Sequence, residues 1–138
     1  SYATEPIPAA QVTTRQPVSL ASSASYGSAT FYHLVSAATT NAASIKATAA
    51  NVNDLSISNN GASAAYVKLY NKASAPTVGT DTPVRVVMCP PGGFIQIGFG
   101  TYGIRMATGF AIAVTGGPAN SDTTAVAANQ VIVGASYT

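Results

Sequence analysis

Charge is scarce in this chain. Of its 138 residues only 7% are Asp, Glu, Lys or Arg, against roughly a quarter in ordinary soluble domains. The charged residues are Glu5, Arg15, Lys46, Asp54, Lys68, Lys72, Asp81, Arg85, Arg105 and Asp122. So thin a charged layer repels its own copies weakly. It fits either a surface made polar by Ser, Thr, Asn and Gln or a surface covered by neighbouring subunits. The net charge is +2 and the basic residues are scattered. With no Lys/Arg run there is no phosphate-tracking groove to expect, and nucleic acid is not an expected partner. Cysteine occurs once, at Cys89, which excludes an intrachain disulfide and agrees with assembly in a reducing cytoplasm. Histidine also occurs once, at His33. One Cys and one His cannot complete a tetrahedral zinc site, and no D-x-[DN]-x-[DN]-G loop is present for calcium. The longest strongly apolar run, Met106 to Val114, is too short to cross a bilayer and contains Gly109. No membrane is therefore expected as a partner. Ser1-Tyr2-Ala3-Thr4-Glu5 does not read as a signal peptide.

What is present is apolar, small and arranged in short runs. Hydrophobic residues make up 47%, enough to fill one core in one domain. Ala, Ser and Thr account for 56 of the 138 residues, so any sheet carries many small side chains. Residues 1–29 differ from the rest. Pro6, Pro8 and Pro17 interrupt any regular element, and the large apolar residues are few: Ile7, Val12, Val18 and Leu20. Alone, such a segment buries too little to offset roughly 1–2 kcal/mol of backbone entropy per residue. It reads as an extended N-terminal arm that contacts a neighbour through those four side chains, or else as a disordered tail.

From residue 30 to 138 the signals are those of strands. Thr30 to Ser36 is aromatic and β-branched. Ile45, Ala47 and Ala49 alternate with Lys46 and Thr48; Leu55 and Ile57 with Asp54, Ser56 and Ser58; Ala65, Val67 and Leu69 with Tyr66, Lys68 and Tyr70. A period of two marks half-buried strands. Further strands are expected at Val84 to Cys89, Phe94 to Phe99, Gly109 to Thr115 and Val131 to Tyr137; Ile104 to Thr115 as a whole looks like strand, interrupted by Gly109. Gly, Pro and Asn turns separate them. The fold class is all-β: an antiparallel β-sandwich or jelly-roll-like domain of about eight strands. Ser121 to Gln130 has room for one short helical turn, capped by Ser121 or Asp122.

The search for catalytic chemistry is mostly negative. A Ser-His-Asp set would have to use His33, which sits inside a strand, and there is no G-x-S-x-G elbow. Glycoside hydrolysis needs two facing carboxyl groups. The four acids are far apart in sequence, and Asp81 and Asp122 read as turn residues that cap nearby backbone N–H groups. Gly98, Gly100 and Gly103 match G-x-G-x-x-G, but no helix is expected after them, so they read as a bent hairpin or bulge rather than a dinucleotide loop. No cofactor, metal or catalytic residue is expected. Residues Lys72 to Thr82 form a long polar loop between two strands, a common way to present contact residues; Lys72, Thr77, Val78 and Asp81 are its candidate contacts.

Three stretches carry a family resemblance: FYHLVSAATTNAASIKA (31–47), AYVKLYNKASAPTVGTDTPV (65–84) and GFAIAVTGGPANSDTTAVAANQVIV (109–133). Together they resemble a small module of tailed-bacteriophage virion proteins, found in capsid decoration and in tail or fibre proteins. The resemblance implies a non-enzymatic virion structural protein. The role expected first is that of a capsid decoration (cement) protein, binding and stabilising the assembled head. A tail-, baseplate- or fibre-associated subunit is the alternative, and a carbohydrate-binding adhesin a more distant one. The implied partners are the major capsid protein and further copies of the chain, as a homotrimer or homodimer, with a host glycan as a lesser expectation. The implied location is the capsid surface, after assembly in the host cytoplasm.

Overall fold

The structure, a computed structural model, describes residues 29–138. The arm proper, with Ile7, Val12, Val18 and Leu20, lies outside the described residues. Among those described there is no helix, and nine strands form: β1 (Thr30–Val35), β2 (Ala43–Lys46), β3 (Ala50–Asn59), β4 (Ala65–Asn71), β5 (Arg85–Cys89), β6 (Phe94–Gly98), β7 (Ile104–Met106), β8 (Phe110–Thr115) and β9 (Val131–Tyr137). They make two antiparallel sheets. The first has the order β1-β9-β3-β6, with β7 also on β3; the second has the order β2-β8-β4-β5.

β6 and β7 both run antiparallel to β3, β6 along Asp54–Ser58 and β7 along Ala50–Val52. They are one sheet edge interrupted by residues 99–103. Counted as a single strand, they give eight strands in the orders 1-8-3-6 and 2-7-4-5, which is the double Greek key of a jelly roll. The expected β-sandwich is thus the observed fold, in its jelly-roll form. The G-x-G-x-x-G stretch is the interruption itself. Gly100 and Gly103 adopt φ of 86° and 73°, the left-handed region that glycine enters without steric cost, and strand rather than helix follows.

The core lies between the sheets. Ala50, Val52, Leu55 and Ile57 of β3 face Val67 and Leu69 of β4 and Phe110, Ile112 and Val114 of β8, with Val131 and Val133 beside them; all are fully buried. On β3 the inward positions change parity, from 50 and 52 to 55 and 57. A register shift against β9 between Val52 and Asp54 supplies the extra residue. Phe110 and Tyr137 close one end of the core edge to face, ring centroids 5.8 Å apart.

Two sequence expectations are corrected, over 44–49 and 121–130, and one is sharpened. The strand signal along Ile104 to Thr115 is interrupted at Gly109 as expected, and the break at residues 107–109 puts β7 in the first sheet and β8 in the second. Gly109 is the corner, where a Cβ would sit 2.6 Å from Lys72 O, 2.7 Å from Ala73 Cα and 2.8 Å from Lys46 O. The strand expected over 44–49 covers only Ala43–Lys46, and a bulge between Ser44 and Lys46 ends its alternation, so Ala47 is exposed. Residues 121–130 hold no helical turn; Asp122 instead accepts a hydrogen bond from the Thr124 N–H at 2.9 Å, closing a tight turn.

Candidate interaction surface

The outer faces of the two sheets have opposite fates. On the second sheet the outward residues of β4 and β8 are Tyr66, Lys68, Tyr70, Ala111, Ala113 and Thr115, and all but the half-buried Tyr66 are buried. Two loops cover them, residues 72–84 and 116–130. Lys68 is fully enclosed, and its ammonium donates to Ala119 O at 2.6 Å and to Asp122 O at 3.3 Å. Burial pulls its pKa down, and the nearby Asp122 charge partly opposes that shift. The loops also touch each other: a Cβ on Gly79 would lie 2.8 Å from Thr123 Cγ2.

The four loop residues singled out from the sequence come together here. Lys72 pairs with Asp81 at 2.5 Å, and the Thr77 N–H donates to the same Asp81 oxygen at 2.7 Å. The Thr80 and Asp81 N–H groups donate back to Thr77 O. Val78 packs on Tyr70, Ala111 and Ala113. Thr77 alone of the four is exposed. The Lys72 and Thr77 hydrogen bonds hold the Asp81 carboxyl below the usual carboxylate range. The Tyr70 hydroxyl beneath this loop is buried without a protein hydrogen-bond partner. Burial raises its pKa, and the Asp81 charge adds to the rise. Lys72, Val78 and Asp81 therefore hold the loop down, acting as a clasp.

The first sheet's outer face is bare among the described residues. Its register sets the outward side chains in three rows across β1, β9, β3 and β6: Val35–Ile132–Ser58–Phe94, His33–Gly134–Ser56–Gln96, and Phe31–Ser136–Asp54–Gly98. The middle of this surface is small and flat, and the margins carry Phe31, Val35 and Phe94, which are 79%, 45% and 66% exposed. Gly134 keeps the surface level, since a Cβ there would meet Ser56 Oγ at 2.7 Å. Asp54 is the one carboxylate in the rows, and its Oδ1 accepts the Ser136 N–H at 3.0 Å.

This face was missed in the sequence, although β1 carries the signal. Both of its phases are apolar, Tyr32 and Leu34 in one and Phe31 and Val35 in the other. A strand without a polar phase is either covered on both sides or exposes an apolar one.

His33 stands exposed on the open face, with Gly134 its direct cross-strand neighbour. Cys89 is buried, its thiol 3.3 Å from Gly93 O and 3.6 Å from Ile57 O, and burial pushes its pKa up, away from thiolate chemistry. Among the described residues no three His, Cys, Asp or Glu side chains cluster as metal ligands. An open cleft of about 400 Å³ lies between residues 60–63 and 127–130. The Gln130 side chain in it is engaged: it donates to Asn59 Oδ1 and Ser63 O and accepts from the Ala127 N–H. No titratable side chain lines it. No protein-family model matches the chain, and no curated protein matches it either.

Proposed function

We propose that this chain is a non-enzymatic structural subunit of a tailed-phage virion, a capsid decoration protein that binds and stabilises the assembled head. The observation that carries the reading is the open outer face of the first sheet. A jelly roll needs one buried face per sheet, and on the second sheet the outer face over β4 and β8 is largely covered as well, by its own loops. Among the described residues the first sheet instead leaves a level surface with exposed Phe31, Val35 and Phe94 at its margins. Exposed apolar surface of this kind marks sites of protein contact. The sparse charge of the chain supports the same reading, because few charges must be desolvated when the face is covered. The jelly roll is used by viral capsid domains, and also by lectins and cupins, so the fold agrees with the assignment without deciding it. A partner that binds only the assembled shell stabilises it by mass action.

The test is binding of the full-length protein to purified heads that lack it. Phe31→Ser combined with Phe94→Ser changes two exposed side chains and should leave the thermal midpoint near that of wild type. Head binding should weaken by at least about tenfold, since aromatic anchors dominate such contacts. Undiminished binding by the double variant would remove the open face from the reading.

A further inference from the structure

We infer that β5 is a pairing edge for a second copy of this chain, joined antiparallel across a two-fold axis at Val87. The inference deepens the assembly reading above and rests on it for its biological purpose. β5 and β2 are the two edges of the second sheet. β2 is guarded: it has four residues, a bulge and Lys46. Short length, bulges and lysine are the usual devices that keep an edge from pairing. β5 has none of these along its centre. It pairs with β4 over five residues without a register shift, and Arg85 at its start is its one charge. Its outward side chains are apolar and exposed, with Val86 at 38% and Met88 at 48%, and Val84 beside them at 42%.

Among the described residues the ladder fixes which backbone groups point off the sheet. The Lys72 N–H donates to Gly109 O, and the Val114 N–H donates to Thr40 O on the far side of β8. In the observed register this turns the N–H and C=O of residues 66, 68 and 70 toward β8 and those of 65, 67 and 69 toward β5. On β5, residues 85, 87 and 89 therefore bond to β4. Val86 and Met88 aim their N–H and C=O off the sheet.

A second β5 centred on Val87 uses all four of these groups. Val86 exchanges two hydrogen bonds with Met88 of the second copy, and Met88 exchanges two with its Val86. The exposed Val and Met side chains then lie against one another. Arg85 falls opposite Cys89 of the second copy, so the like charges are not paired. On the inner side the added strand shields Val87, which is only partly buried at this flank of the sandwich. A two-fold pairing uses the β5 edge of both copies, so it closes at two.

The experiment is the oligomeric state of the full chain by light scattering over a wide concentration range, with Val86→Pro as the variant. Proline is tolerated on an edge where the lost N–H faces solvent, so the β4 ladder stays intact. Wild type should be dimeric, and Val86→Pro should dissociate at least about 100-fold more readily. If Val86→Pro fails to fold, Val86→Lys keeps the backbone donor and places charge in the seam, with the same expected loss. Val87→Cys in a Cys89→Ala background should form an intermolecular disulfide, because non-hydrogen-bonded partners sit about 4.5 Å apart at Cα. A monomeric wild type, or a dimer that survives these changes, would overturn the inference. The two readings also fail separately. A solution dimer absent from purified particles sinks the assembly reading and leaves the pairing; a monomer abundant in particles does the reverse.

Discussion

Asp81 carries more of the 72–84 loop than any other single side chain. One carboxylate oxygen takes both the Lys72 ammonium and the Thr77 N–H. Its pKa lies below the ordinary value, so the carboxylate form favours the folded loop. That stabilisation is complete above the ordinary Asp range near pH 4 and is lost as the pH falls through the lowered folded value. Asp81→Asn should lower the thermal midpoint at neutral pH, and the gap from wild type should close on acidification. A gap that stays constant with pH would mean that the ion pair does not hold the loop. The capping role of Asp81 and Asp122 was legible in the sequence, because each sits among Thr, Gly and Ser in a turn. That Lys72 closes on Asp81 was not, because a nine-residue separation across a loop has no periodic signature. The enclosure of Lys68 was equally hidden. It occupies the polar phase of an alternating strand, where solvent is the expected neighbour, and only the 116–130 loop takes that solvent away.

At the scale of elements, Gly109 decides how the chain passes from the first sheet to the second. Backbone atoms of Lys46, Lys72 and Ala73 crowd the space that a Cβ would take. Gly109→Ala should destabilise the fold by about 2–3 kcal/mol, since backbone atoms cannot give way as side chains do. A denaturant midpoint close to wild type would show that the corner can open. Most strands were legible because alternation survives in them: Leu55/Ile57, Ala65/Val67/Leu69 and Val131/Val133 keep one phase throughout. The failures fall where phase is broken. Gly109 marks the break in Ile104–Thr115, but not the change of sheet, because β8 is buried on both faces and has no polar phase to show which side faces the core. The parity change on β3 depends on a bulge between Asn53 and its partners on β9, and nothing local in Asn51–Asp54 announces it.

On the scale of the whole molecule, the two sheets divide the work. Among the described residues, the second is covered over β4 and β8 by its own loops and left with one unguarded edge, and the first keeps a broad face open. A few exposed apolar side chains are ordinary on any protein, but here they line one sheet face and one strand edge of a domain short of charge. Together the edge and the face would let paired copies lie on a lattice of a second protein. The fold class was readable from periodicity, whereas the open face was not, because sheet order decides which strands become neighbours. Copy number in purified particles, by densitometry against the major capsid protein, tests the decoration role most directly. A count comparable to that of the capsid protein is the expected result. A count of a few to some tens per particle would place the chain at the tail or a vertex and contradict it.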